Sequence, residues 1–205
     1  MPEEIRFLIF DTETTGLPRY LGASPHDTDA WPRLVQIGWV LCNSDGEEVC
    51  EESLIIRPDG FVIPKNAERV HGISTEKALL SGISIKTALN RFRSATISCN
   101  VAVAHNMVFD EGVILAEYSR IGELSPFQDL ECICTMEASV SICRIHRSKG
   151  WKYPKLTELY RTLFGSEYDG YHDALLDAKA TAKCFFELRR KGAFAEPKKD
   201  RFLNI

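Results

Sequence analysis

Apolar residues fall along the chain in two rhythms. Phe7, Leu8, Ile9 and Phe10 run without a break, as in a strand buried on both faces, and predict strand one over 5–10. LVQIGWVLC at 34–42 is rich in β-branched and aromatic residues and predicts strand two. NSDG at 43–46 carries turn chemistry, so 48–57 returns as strand three. These three form an antiparallel meander. A helical rhythm follows at 75–81 and 84–97, where Ile85, Ala88, Leu89 and Phe92 share one side. VAVAH at 101–105 predicts strand four. A helix with Asn106 as its N-cap and Val113, Ile114 and Tyr118 on its apolar side comes next. Residues 130–135 predict strand five, and helices at 155–164 and 173–190 close the chain. In the last helix Leu175, Ala178, Ala182, Phe185 and Phe186 form one apolar face. The order gives an α/β fold, a mixed five-stranded sheet flanked by helices, with three antiparallel strands and then parallel ones. Segments 18–33 and 144–155 break both rhythms, and long loops in compact domains are often functional.

Composition narrows the picture only slightly. A length of 205 residues suits one domain, 1–205, with a core over about 5–190 and a short C-terminal tail, 191–205. Apolar residues at 44% and charged residues at 26% are those of a soluble globular protein. No apolar run approaches the ~20 residues that cross a bilayer. The opening MPEEIRFLIF is acidic and runs straight into strand one, unlike a signal peptide. The expectation is a cytoplasmic protein with no membrane partner. The cysteines number seven and lack CxxC spacing, so all are expected reduced, with Cys132 and Cys134 on one face of strand five. The net charge of −4 offers no global basic footprint for nucleic acid. A cluster of metal-binding acids would distort that count, because bound cations offset it.

The acids themselves carry the chemistry. Asp11 and Glu13 follow the apolar run of strand one, Asp110 lies in the first turn of the helix after strand four, and Asp177 sits in the last helix. Asp173 and Asp177 share a helical face, and His172 precedes both. Each feature alone has a bland explanation: a turn for the Asp-x-Glu pair, the helix dipole for Asp110, a loop position for His172. Asp177 is harder to explain so, lying among Ala174, Leu175, Leu176 and Ala178. Four acids at element ends can converge at one edge of a sheet. Such a set, with no activated serine, suits hard divalent cations, Mg²⁺ or Mn²⁺. Two such ions about 3.5–4 Å apart clamp a phosphodiester in in-line displacement. An imidazole, which titrates near neutral pH, can take the proton of the attacking water.

Three motifs in order resemble the DEDDh (DnaQ-like) 3′→5′ exonuclease family. FDTETTG carries Asp11 and Glu13, HNMVFD carries Asp110, and HDALLD carries His172 and Asp177. VHGIS at 70–74 and WKYPKLTELYRTLFG at 151–165 also look like family segments. The resemblance implies an RNase-H-like fold and two metal ions held by Asp11, Glu13, Asp110 and Asp177. It implies His172 as general base and release of 5′-mononucleotides from a free 3′ end of nucleic acid. RNA and DNA both fit the same carboxylates; the expectation favours DNA and single-stranded ends, the latter from the basic, aromatic segment at 144–155. The resemblance also points to Thr12, Thr14 and Leu17 around the terminal nucleotide. Asn106 and His71 are candidates for the same substrate, with an N-cap and a structural turn histidine as the plainer readings. Relative to the polymerase proofreading subunit of the family, the chain shows no long polymerase-tethering tail after 190, and a stand-alone exonuclease is expected. Oligomeric state stays open, a homodimer among the options.

Arg144, Arg147, Lys149, Lys152 and Lys155, interleaved with His146, Trp151 and Tyr153, make a basic, aromatic segment suited to phosphates and unpaired bases. The plainer reading is a solvated loop, and the family likeness of WKYPKLTEL favours a packing role for Trp151. Haloacid-dehalogenase-type phosphatases also place acids after a strand. Their second acid is Asp where this chain has Glu13, and their GD-x3-D motif is only mimicked by HD-x3-D at 172–177. An RNA-trimming exoribonuclease of the same family and a catalytically silent nucleic-acid-binding module complete the alternatives.

Overall fold

The chain forms one five-stranded sheet in the order β3-β2-β1-β4-β5, seen in a computed structural model that describes residues 6–194. The strands are β1 (Phe7–Thr14), β2 (Leu34–Cys42), β3 (Glu48–Ile55), β4 (Val101–Ala104) and β5 (Glu131–Cys134). β1 pairs antiparallel with β2, and β2 with β3. β4 runs parallel to β1 and β5 parallel to β4. The helices are α1 (Lys65–His71), α2 (Thr75–Ser81), α3 (Ile85–Ile97), α4 (Met107–Arg120), α5 (Thr135–Ala138), α6 (Val140–Cys143), α7 (Leu156–Phe164) and α8 (Ala174–Arg190). Position 5 and residues 195–205 of the expected tail lie outside the described residues.

Strand periodicity divides the core. Leu8 and Phe10 of β1 pack with Leu89 and Phe92 of α3 and Val113 and Ile114 of α4. Phe7 and Ile9, one step out of phase, pack with Ala182 and Phe185 of α8. β2 is buried along its whole length, because helices cover both of its faces. Around Phe92 the rings of Phe10, Trp39 and Phe127 meet at centroid distances of 5.2, 5.6 and 5.9 Å, contacts worth about 0.5–1.5 kcal/mol each beyond the area they bury.

Several expectations need correction. β1 does not stop at Phe10. Asp11 pairs with Gly38 and Glu13 with Gln36, so both acids lie inside the strand, held by backbone pairing that the apolar pattern does not reveal. α1, led by Pro64, has no counterpart among the predicted elements, because its sequence KNAERVH is mostly polar and shows no apolar face. Asn106 occupies the N-cap position of α4 in a left-handed conformation (φ 79°), and its side chain makes no capping bond. Asp173 is the N-cap of α8 rather than a member of its helical face.

Both irregular segments are tied down. Trp31 of 18–33 presses on Gly112 of α4, where an added Cβ would stand 2.0 Å from the indole ring. Glu117, 1% exposed, accepts from Arg33 Nε at 2.9 Å and from the Leu34 N–H at 3.0 Å, and pairs with Arg120 at 2.9 Å. In 144–155 a small hairpin closes through Arg147 N–H to Gly150 O and Lys152 N–H to Ile145 O. Trp151 is 45% exposed beneath the Arg144 guanidinium. The expected core packing of Trp151 is therefore not what the structure has: the hairpin holds the indole at the surface.

Candidate active site

Asp11 and Glu13 continue the odd-numbered series of β1, the one that faces α8. Thr12, out of phase, reaches α4. Its N–H and its hydroxyl both donate to Asp110 Oδ1, at 3.0 and 2.7 Å. Asp110 is thereby fixed against the strand that carries the first two acids, and is only 3% exposed.

The fourth acid arrives with α8, whose start is clamped to the sheet. Asp173 Oδ1 accepts from the N–H groups of Leu175 and Leu176, closing the helix N-terminus. Gln36, the register partner of Glu13, donates through Nε2 to Asp173 Oδ2 at 3.0 Å and accepts from the Ala174 N–H at 3.2 Å. Gly38, the partner of Asp11, touches the helix backbone so closely that a Cβ would lie 2.2 Å from Leu175 N. The clamp brings Asp177 to the acids of β1. Asp177 Oδ2 accepts from the His172 N–H at 2.9 Å and Oδ1 from the Tyr168 hydroxyl at 2.6 Å. One ligand atom each of Glu13, His172 and Asp177 lies within 4.8 Å of the others.

These carboxylates are crowded, with Glu13, Asp110 and Asp177 buried and Asp11 half-buried. Burial pushes Asp11 well above the usual carboxylate range, and Asp110, Asp177 and Glu13 push it further. Glu13 is pushed up to about 8, by burial first and then by Asp177 and Asp110. Burial raises Asp110 to about 7 against the pull of the Thr12 hydrogen bonds. Asp177 is raised by burial while Tyr168 and His172 draw it down. Among the described residues no lysine or arginine pairs with any of the four. A set of hard oxygen donors, repelling one another and lacking a protein counter-charge, fits divalent cations of the Mg²⁺ type.

Other expected residues stand at varied distances from this cluster. Thr14 is buried, and its hydroxyl donates to Gly16 O at 2.6 Å. Leu17 is 79% exposed on the chain leaving β1. His71 is buried, with Nδ1 accepting from the Ile73 N–H. Its Nε2 finds no partner among the described residues, and the ring lies near the Thr14 backbone and His172. Asn106 is exposed and, among the described residues, makes no hydrogen bond to the four acids. His105 of the second motif is structural: its ring nitrogens reach Thr135 Oγ1 and Pro154 O, both at 3.0 Å, and burial lowers its pKa to about 4. Tyr168, Gln36 and Gly38 were not singled out by the sequence, since none lies in a motif or breaks a period. A cleft of about 600 Å³ opens beside the acids, lined by Lys155, Arg161, Tyr168, Tyr171, His172 and Asp177 among others.

Residues 8–185 match the sequence model of the exonuclease family of RNase T type. The chain belongs to that family. Its fold is shared by solved structures described as exonuclease I. An Escherichia coli exonuclease I in complex with a dA16 oligonucleotide is 20% identical with a TM-score of 0.71, over 91% of this chain and 41% of that one. A product-bound exonuclease I is 17% identical with a TM-score of 0.72, over 92% and 44%. A zinc-bound form of the E. coli enzyme with single-stranded DNA is 19% identical with a TM-score of 0.70, over 91% and 41%. The chain thus spans about four-tenths of the length of these exonucleases. No curated protein sequence gives a significant match. The expected RNase-H-like architecture is the one the family and these neighbours share.

Proposed function

We propose that the protein is a 3′→5′ exonuclease that releases 5′-mononucleotides from single-stranded DNA ends, using two Mg²⁺ or Mn²⁺ ions. The observation that carries the reading is the convergence of Asp11, Glu13, Asp110 and Asp177 in one buried cluster, with His172 at its rim. Family membership and the oligonucleotides named for the exonuclease I structures support it.

When bound, divalent cations supply the Lewis-acid charge that activates water and offsets the leaving oxygen. Asp11, Glu13, Asp110 and Asp177 would hold them, the first two on a strand paired to β2 through Gly38 and Gln36. Thr12 keeps Asp110 from turning away. His172 is exposed, so its imidazole is open to take a proton from a water beside the cluster, while its backbone N–H holds Asp177. Lys155 and Arg161 in the adjoining cleft suit the phosphates of the strand being shortened.

The test is a panel of single- and double-stranded DNA and RNA, each with the 3′ end free or blocked, incubated with Mn²⁺. Single-stranded DNA with a free end should shorten to mononucleotides, a blocked end should stop it, and Asp177→Ala should abolish it without unfolding the protein. Faster trimming of RNA would make the enzyme an exoribonuclease. No shortening of any member would leave a silent binding module.

A further inference from the structure

Tyr168 belongs to no helix or strand. It sits on the connection between α7 and α8, where Gly165, Gly170 and His172 adopt left-handed backbone conformations. That connection wraps the Asp177 side chain from two points, the Tyr168 hydroxyl on Oδ1 and the His172 N–H on Oδ2. The tyrosine ring is itself held, packed at a tilt of 52° and a centroid distance of 5.1 Å against Tyr160 of α7.

An aspartate carboxylate turns easily about its last torsion. Asp177 is pressed by Asp11, Glu13, Asp110 and Asp173, and repulsion favours rotating it away from the cluster. Two of its roughly four lone-pair sites are occupied by the donors above. We infer that Tyr168 is a positioning residue, whose hydroxyl locks the rotation of Asp177 so that its remaining lone pairs face the Glu13 carboxylate and the other acids of the cluster. The identity of the donor matters. A lysine or arginine here would orient Asp177 equally well but would also cancel its charge and compete with cations. A phenol orients without adding charge, as the Thr12 hydroxyl and N–H do for Asp110. Asp110 and Asp177 are thus both arranged by neutral donors, which add no positive charge to compete with a cation. Outer partners of this kind typically alter metal affinity or activity 10–100-fold when removed.

The inference rests on the metal-dependent nuclease reading, and the experiment separates the two. Mn²⁺ binding is followed by the electron paramagnetic resonance of free Mn²⁺, without nucleic acid, in wild type, Tyr168→Phe and Tyr160→Phe. Oligonucleotide shortening is then measured against Mn²⁺ concentration. Tyr168→Phe keeps the ring on Tyr160 and removes only the hydroxyl. It should raise the Mn²⁺ dissociation constant on the order of 10-fold and shift half-maximal activation by the same factor. Saturating Mn²⁺ should restore the rate, with the oligonucleotide KM unchanged. Tyr160→Phe should match wild type. Equal Mn²⁺ affinity in Tyr168→Phe and wild type overturns the role of Tyr168. So does a rate loss that saturating Mn²⁺ does not restore, or an equal defect in Tyr160→Phe. Wild-type protein that neither binds Mn²⁺ nor shortens the strand overturns the nuclease reading, and this inference with it.

Discussion

His172 holds its backbone at φ 69°, a left-handed conformation that few side chains other than asparagine, aspartate and histidine adopt readily. The conformation has a purpose visible in the contacts. It aims the N–H of His172 at Asp177 and leaves the imidazole at the rim of the cluster. His172→Asn should keep this backbone and its bond to Asp177 while removing the proton acceptor. The expected result is a loss of roughly 10²–10⁴-fold in the rate of oligonucleotide shortening at saturating Mn²⁺, with the melting temperature held. An unchanged rate would make His172 a backbone donor and nothing more. The acids and His172 were legible as a set, through three motifs in order, and of them only Asp177, among Ala174, Leu175, Leu176 and Ala178, stands at an improbable place by itself. Tyr168 was not, since a tyrosine in the polar stretch GSEYDGY sends no signal until the fold brings it nine positions along the chain to Asp177.

At the scale of elements, the site depends on how α8 lies on the sheet. Gly38 is the point of contact, and a methyl group there has backbone atoms of Ala174 and Leu175 in its way at 2.2–2.5 Å. Backbone cannot swing aside as a side chain can, so Gly38→Ala should lift the start of α8 from β2. The expected cost is about 1–3 kcal/mol in denaturant unfolding, with shortening of oligonucleotides reduced further than the stability loss accounts for. Wild-type stability and rate would show that α8 tolerates the displacement. The elements themselves were mostly readable. β2 was expected over 34–42, and α3, α7 and α8 began within a residue of their predicted starts, because each has an apolar face of clear period. The sequence misplaced the end of β1 because acids do not look like strand, and pairing to Gly38 and Gln36 decides otherwise. It missed α1, whose KNAERVH is mostly polar, and α5 and α6, which at four residues each are too short to show a repeat.

Over the whole molecule, the crowded acids make stability depend on pH in an unusual direction. Glu13 and Asp110 hold their protons to about 8 and about 7 in the folded chain, against ordinary values of 4.5 and 3.8. Between those limits the folded state binds more protons than the unfolded one, so unfolding free energy falls as pH rises. In chelator the melting temperature should drop from pH 5.5 to pH 8, as read by differential scanning fluorimetry. Mn²⁺ or Mg²⁺ should flatten that slope by satisfying the carboxylates. A metal-free protein that gains stability over this range would contradict the crowding of the four acids. The alternation along β1 has one more consequence. A chain threaded one residue out of step would send Asp11 and Glu13 toward the aromatic side of the core and turn Leu8 and Phe10 toward α8. On the proposed function, a molecule can cut only if its central strand is in register. Activity per molecule then becomes a census of correct threading, which helix and strand content, blind to register, does not supply.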